Sequence, residues 1–293
     1  MPFLSHTIPI LLTLPLASLL CSPSQSQIPP PLSAFLNSSN PCSLPPSPSL
    51  TLSCSNGSQI TRLSITGGGR LHRPLSAASA DALFTSLSTL PHLTSLSLVS
   101  LGLHGPFPPQ IHRLSSLQLL NLSSNYFSGP IPPQLLAMGS LQNLILAGNS
   151  FNGALPDFKS LTAITELDLG GNRLAGEIPP PLFSHPSLEF LDLSGNTLSG
   201  QIPTDLCCGG RLRFVNISDN LLIGALPSCF RTDSLNRVVI AKANCLDDSK
   251  YQRPISYCNQ GALAANLPSH EEKSGSRRKF GLLFGIVGGS LVV

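Results

Sequence analysis

Few stretches of this chain carry residue types at spacings that could do covalent chemistry. Asp168-Leu169-Gly170 has the residue types of a kinase metal-binding triplet, but no glycine-rich phosphate loop with a following strand lysine accompanies it, and no catalytic loop of the His-Arg-Asp type. Gly67-Gly68-Gly69-Arg70 lacks the continuation that a phosphate-cradling loop needs and reads as an insertion turn. The seven histidines are scattered, without a His-Glu-x-x-His or Gly-x-Ser-x-Gly setting, so hydrolase chemistry has no anchor. Cys207 and Cys208 are adjacent rather than two to four residues apart, which is the wrong spacing for a zinc site. No catalytic residue, no metal site and no cofactor is expected, and the chain reads as a non-enzyme.

The chemistry that remains is that of binding, and a repeat positions it. Alignment on L-x-x-L-x-L-x-x-N-x-L-x-G-x-I-P places unit starts at Leu93, Leu117, Leu141, Ile164, Leu188 and Leu212, spaced by 24, 24, 23, 24 and 24 residues. A period in this range marks stacked coils, because one coil cannot bury its apolar face alone. Leu, Ile or Val at offsets 0, 3 and 5 points into a core around a short strand, and neighbouring coils pair those strands into a parallel sheet. Asn125, Asn149, Asn172, Asn196 and Asn220 stand at offset 8, where an amide can satisfy backbone groups of the turn in a stacked ladder. A glycine (Gly105, Gly129, Gly153, Gly176, Gly200, Gly224) suits a bend, and a following proline (Pro108, Pro132, Pro156, Pro179, Pro203, Pro227) suits an extended convex segment. These positions account for much of the 24 Gly and 28 Pro in a chain of 293 residues.

The alternate side chains of each strand form the concave wall. Offset 2 reads Ser95, Leu119, Asn143, Glu166, Phe190 and Phe214; offset 4 reads Ser97, Asn121, Ile145, Asp168, Asp192 and Asn216; offset 6 reads Val99, Ser123, Ala147, Gly170, Ser194 and Ser218. Phe190 and Phe214 fall on adjacent coils, flanked by Glu166, Asp168, Asp192 and Arg213, and exposed aromatics with charged neighbours are binding anchors. These six residues are the candidate partner-binding set. The Asp and Asn at offset 4 have a structural alternative, hydrogen bonding along the sheet.

The ends depart from the repeat. Residues 1–26 read as a secretory signal, residues 27–59 as an N-terminal cap, and residues 60–92 as an irregular first repeat starting at Ile60, with a short helix expected over Asp81–Leu90. Six repeats fill residues 93–234, a strand starting at Leu235 opens a C-terminal cap over 235–258, and residues 259–279 form a polar linker. The apolar run 280–293 would reach about 21 Å as helix, against about 30 Å for a bilayer core, and is expected to be the truncated start of a membrane span. Net charge is +3, equal to Arg277, Arg278 and Lys279, so the body is neutral and no nucleic-acid footprint is supported. Export implies an oxidising compartment. Cys42 and Cys54 flank the entry, where they can pair; Cys245 and Cys258 bracket the exit; Cys207 or Cys208 can reach Cys229 across one coil, leaving the other as a spare thiol. Asn37, Asn56, Asn121 and Asn216 lie in N-glycosylation sequons.

The unit L-x-x-L-x-L-x-x-N-x-L-x-G-x-I-P resembles the plant-specific class of leucine-rich repeat. The exit run "NCLDDSKYQRPISYCNQGALA" resembles the ectodomain end of plant leucine-rich-repeat receptor-like kinases of the group labelled "probable inactive". The resemblance implies an α/β repeat solenoid, a right-handed superhelix with a concave parallel sheet. It implies an extracellular domain on a single-pass type I protein of the plasma membrane, with a kinase-like domain that this chain does not contain. Its expected partners are an extracellular protein or peptide ligand and a co-receptor ectodomain. The alternative is a secreted or lipid-anchored cell-wall protein, such as an enzyme inhibitor.

Overall fold

A computed structural model describes residues 41–258, except 46, 57–58, 68–76, 232–235, 248–250 and 255. The expected signal, the linker, the apolar run 280–293 and Asn37 lie outside the described residues. In chain order the strands are β1 (Leu50–Ser55), β2 (Gln59–Thr66), β3 (Ser95–Val99), β4 (His104–Pro106), β5 (Leu119–Asn121), β6 (Tyr126–Gly129), β7 (Asn143–Ile145) and β8 (Ser150–Gly153). They continue as β9 (Glu166–Asp168), β10 (Arg173–Glu177), β11 (Phe190–Asp192), β12 (Thr197–Gln201), β13 (Phe214–Asn216), β14 (Leu221–Gly224), β15 (Val238–Ile240) and β16 (Cys245–Leu246).

From β3 onwards each coil contributes two of these strands, one to each of two sheets. The inner sheet runs β1-β2-β3-β5-β7-β9-β11-β13-β15, antiparallel only between β1 and β2. Its register matches the repeat: Phe190 stands opposite Glu166 and Phe214, and Asp192 opposite Asp168 and Asn216. A second parallel sheet, β16-β14-β12-β10-β8-β6-β4, forms where the sequence suggests only a bend and an extended segment. Its strands end at or beside the repeat glycines, such as Gly129 at φ 84° and Gly153 at φ 79°, which an L side chain would strain.

Short 3-10 helices follow on the convex side: Pro109–Arg113, Pro133–Ala137, Phe158–Ser160 and Pro180–Leu182. Three of them start on proline, whose missing N–H falls where a helix would leave it without a partner. Between the layers the leucines at offsets 0, 3 and 5 are fully buried in coils such as Leu188, Leu191 and Leu193. A column of phenylalanines, Phe84, Phe107, Phe127 and Phe151, fills the N-terminal half with ring centroids 6.0–6.4 Å apart.

The asparagine at offset 8 ties the coils together. In each, Oδ1 accepts a backbone N–H of the preceding coil, as Asn172 does from Phe151 at 3.0 Å. Nδ2 donates to carbonyls of its own and the preceding coil, here Leu169 and Leu146 at 3.0 and 3.1 Å. The ladder continues one coil further than the sequence reading. Asn244 accepts from Leu222 N and donates to Ile217 O. The register of Val238 with Phe214 starts this seventh coil at Asn236, one residue after the expected Leu235, which lies outside the described residues. The repeats therefore pass beyond residue 234 into the expected cap.

Both ends are closed by cysteine and polar contacts. At the entry, Cys42 pairs with Cys54 and pins the 3-10 turn Pro41–Ser43 to β1. Helix α1 spans Ala77–Leu87, earlier at both ends than the expected Asp81–Leu90; at its C-terminal end, the residue before Pro91 is steered out of helical geometry. At the exit, Cys245 pairs with Cys258. Gln252 Oε1 accepts from Asn244 N while its Nε2 donates to Ala241 O, so the exit run occupies hydrogen-bonding groups that an eighth coil would have used. Cys208 pairs with Cys229, and its neighbour Cys207 is exposed and free.

Candidate functional site

Strands β9, β11 and β13 set the site. Each has one buried residue, Leu167, Leu191 or Val215, flanked by two that face the open side of the inner sheet. Because strand side chains alternate, burial of the middle residue fixes the outward direction of the other two. Parallel pairing then stacks like positions into rows.

In the offset-2 row Phe190 and Phe214 lie face to face, with ring centroids 4.5 Å apart and planes 4° from parallel. The row continues into Val238, 54% exposed at the last strand, so three apolar residues on adjacent coils reach the sheet edge. On the other side Glu166 follows Phe190, and its Oε2 accepts from Asn143 Nδ2 at 2.5 Å.

The offset-4 row is held from beneath. Asp168 Oδ1 accepts from Gly170 N at 3.0 Å, and Asp192 Oδ1 from Ser194 N and Oγ at 2.8 and 2.6 Å. Asn121 and Asn216 do the same for Ser123 and Ser218. Asn216 Nδ2 also donates to Asp192 Oδ2 at 2.9 Å. The expected hydrogen bonding along the sheet is thus present, and it orients the carboxylates without consuming both oxygens of Asp168 in the bonds described. Partial burial, followed by the negative charges of Asp192 and Glu166, pushes the Asp168 carboxyl above its ordinary 3.8 against the opposing bond from Gly170 N.

Five of the six candidate residues therefore share two adjoining rows. Arg213 does not: it precedes β13 at offset 1, in the row of Arg237, and its charge is the second cause, after burial, that lowers the Arg237 guanidinium. Of the sequons, Asn56 is exposed in the β1–β2 turn, whereas Asn121 and Asn216 are half-buried on the inner sheet. The Asn216 nitrogen that a glycan would occupy is the one bonded to Asp192. Sequence reasoning missed the Gly170 position as a feature of the site. A Cβ there would lie 3.1 Å from Asp192 Oδ1 and 3.3 Å from both Asp168 Oδ1 and Ser194 Oγ. Among the described residues no group of three or more His, Cys, Asp or Glu could hold a metal, and no helix is long and apolar enough to cross a membrane.

Comparison with known proteins agrees with this geometry. The Leucine Rich Repeat family matches at residues 116–138, 163–185 and 187–208. A "Probable LRR receptor-like serine/threonine-protein kinase" of Arabidopsis thaliana is 44% identical over 133 residues, which span 45% of this chain and 18% of that protein. Among solved structures, the Arabidopsis receptor kinase HAESA, in complex with the peptide hormone IDA and the co-receptor SERK1, matches with TM-score 0.51 and 34% identity over 55% of this chain and 27% of that one. The plant peptide hormone receptor RGFR1, in complex with RGF2, matches with TM-score 0.51 and 28% identity over 62% and 27% of the two chains. A TDR receptor matches with TM-score 0.52 and 29% identity over 55% and 28%. The chain is a leucine-rich-repeat α/β solenoid, similar in sequence and fold to plant receptor-kinase ectodomains, and the matches cover less than a third of those proteins' lengths.

Proposed function

We propose that this solenoid is the extracellular sensing part of a plant single-pass receptor-like kinase, and that it captures a peptide or protein segment on the inner sheet at Phe190 and Phe214. The observation that carries the reading is the stacked, half-exposed ring pair, continued by Val238, on a sheet face whose other rows are mainly polar. Outward-facing aromatic surface of this kind is stabilised by covering, and rigid rings lose little entropy when covered. The similarity to receptors solved with peptide hormones supports an extended peptide as the ligand, with a co-receptor ectodomain as second partner. The resemblance of the exit run 244–264 supports a kinase-like domain of the inactive group elsewhere in the protein, and repeats outside the plasma membrane.

The test compares the full chain with its Phe190→Ser/Phe214→Ser variant. Both are immobilised, exposed to a secreted-peptide fraction of plant tissue, and the retained peptides identified by mass spectrometry and re-measured as synthetic peptides. A peptide held by the native chain and lost from the variant, with both proteins melting alike, is the expected result. Identical retained sets would overturn the reading.

A further inference from the structure

We propose that Asn216 carries an N-linked glycan whose first N-acetylglucosamine lies against the free face of the Phe214 ring, over Val238 and Ile240, and closes the seventh-coil end of the inner sheet. The inference shares with the proposed function an extracellular chain, and it bounds the capture face: a ligand meets the ring pair from the Phe190 side.

Of the three sequons whose asparagine is described, one has an aromatic residue two positions earlier. Asn216-Ile217-Ser218 follows Phe214, whereas Asn121 follows Leu119 and Asn56 follows Cys54 at the same distance. Phe214 and Asn216 flank the buried Val215 on β13, so both side chains leave the same face of the sheet, about 6.6 Å apart along the strand.

Direction decides where the sugar goes. Asn216 Nδ2 gives one hydrogen to Asp192 Oδ2, 2.9 Å away on the fifth coil. The two hydrogens of an amide nitrogen diverge within its plane, so the other points away from the fifth coil, towards Ile240 on the seventh. That second hydrogen is the one the sugar replaces. The described bonds survive the linkage: Asp192 keeps its donor, and Oδ1 keeps Ser218 N and Oγ at 3.2 and 2.8 Å.

The ring offers the matching surface. Phe190 covers one face of Phe214, with planes 4° from parallel. The opposite face looks towards the seventh coil, where the paired residue is the smaller Val238. The C–H face of a pyranose is weakly positive and an aromatic face is negative, so the two attract. Val238 is 54% exposed on the last strand of the sheet. An apolar row that runs out at a sheet edge invites pairing with other chains, and a hydrated sugar over it blocks that pairing.

The linkage forms on the nascent chain in the secretory compartment, before folding half-buries the amide. Nδ2 attacks the anomeric carbon of an oligosaccharide carried on a polyisoprenyl diphosphate. An N–C bond forms, the C–O bond to the diphosphate breaks, the nitrogen gives one proton to a base of the transferase, and the lipid diphosphate leaves.

The test uses the full chain produced in plant secretory cells, with the peptide containing Asn216 read by mass spectrometry. A glycan is expected there, and trimming it to its first sugar with an endoglycosidase should leave thermal melting unchanged. Ser218→Ala, which removes the acceptor pattern and keeps Asn216, should melt about 2–4 °C lower. Ser218→Thr, which keeps the pattern, should retain both the glycan and the melting temperature. In a Phe214→Ser background the loss caused by Ser218→Ala should shrink, because the sugar has no ring to cover. A bare Asn216 overturns the inference and leaves the capture face standing. A glycan whose removal costs the same in both backgrounds also overturns it, since the sugar then does not rest on Phe214. Failure of the capture face is read separately, in the peptides retained by the native and Phe190→Ser/Phe214→Ser chains.

Discussion

At the residue scale, coils that look alike differ in how comfortably they make the same turn. Offset 7 is left-handed in every described coil from the first to the seventh, with Gly148, Gly171 and Gly195 at φ 61–65°, but Ser100, Ser124, Asp219 and Ala243 at φ 55–57°. Left-handed geometry costs a residue with a Cβ about 1–2 kcal/mol, partly offset by glycine's larger entropy loss. Ser124→Gly is therefore expected to stabilise the fold by up to about 1 kcal/mol and so to raise the denaturation midpoint, and an unchanged or lowered midpoint would count against this account. The pattern was not legible in the sequence, because only three of the seven residues are glycine; the asparagine ladder was, because one residue type recurs at one offset.

A second residue-scale consequence concerns acid. His185 is 3% exposed, Ser187 N donates to its Nδ1, and burial lowers it from its ordinary 6.5. The unfolded chain takes up a proton below about pH 6.5 that the folded chain refuses, so stability falls as pH drops from there towards the depressed folded value. Chemical denaturation at stepped pH should show a smaller loss for His185→Gln than for the native chain across that window. Parallel losses would show that His185 does not supply the effect. Asp168 works with the opposite sign: raised when folded, it disfavours the folded chain above its own value and ceases to do so near 3.8.

At the element scale, one guanidinium braces the junction between the sixth and seventh coils. Arg237 donates from Nε to Leu212 O at 2.8 Å, from Nη1 to Cys229 O at 2.6 Å, and from Nη2 to Gly209 O at 3.0 Å, across the loop that Cys208–Cys229 closes. A lysine ammonium is a point donor and cannot address three carbonyls in a fork. Arg237→Lys should cost about 1–3 kcal/mol, the range for leaving buried acceptors unpaired, as seen in thermal melting; a cost near zero would mean the disulfide alone holds the loop. Sequence reading placed the inner strands well, because leucine, isoleucine or valine recurs at offsets 0, 3 and 5 in all six units there. It missed the second sheet, whose strands are short and whose alternation is broken by glycine. It misplaced the seventh coil because Asn236 stands where every other coil has a leucine or isoleucine, a substitution that an exposed end coil tolerates.

At the scale of the whole molecule, stability is close to a sum of coils and of contacts between neighbours. The same lesion should therefore behave differently by position. Asn172→Ala removes bonds to Phe151 N, Leu146 O and Leu169 O in the middle of the stack, and Asn244→Ala removes bonds to Leu222 N, Ile217 O and Ala241 O at its end. Amide exchange monitored by mass spectrometry should report the central variant as loosened on both sides of its coil, and the terminal variant as frayed only from the last coils. Equal, global loss of protection in both would show all-or-none cooperativity instead. The concave face was legible from the period as rows of named residues. The crowding at Gly170 was not, because it is made by side-chain oxygens of two coils converging where a Cβ would stand.

The inner rows also act as a scale with a fixed pitch. Parallel register spaces like positions by about 4.8 Å, whereas a side chain on the same face of an extended peptide recurs about every 6.6–6.8 Å. The two series are incommensurate, as the marks of a vernier are: laid across the coils they coincide after about three coils and two peptide repeats, then drift apart. A ligand crossing this sheet can satisfy row-specific contacts only over a window of about four residues, however long it is. Discrimination is therefore concentrated in a short word, and lengthening the ligand adds contact area without adding letters.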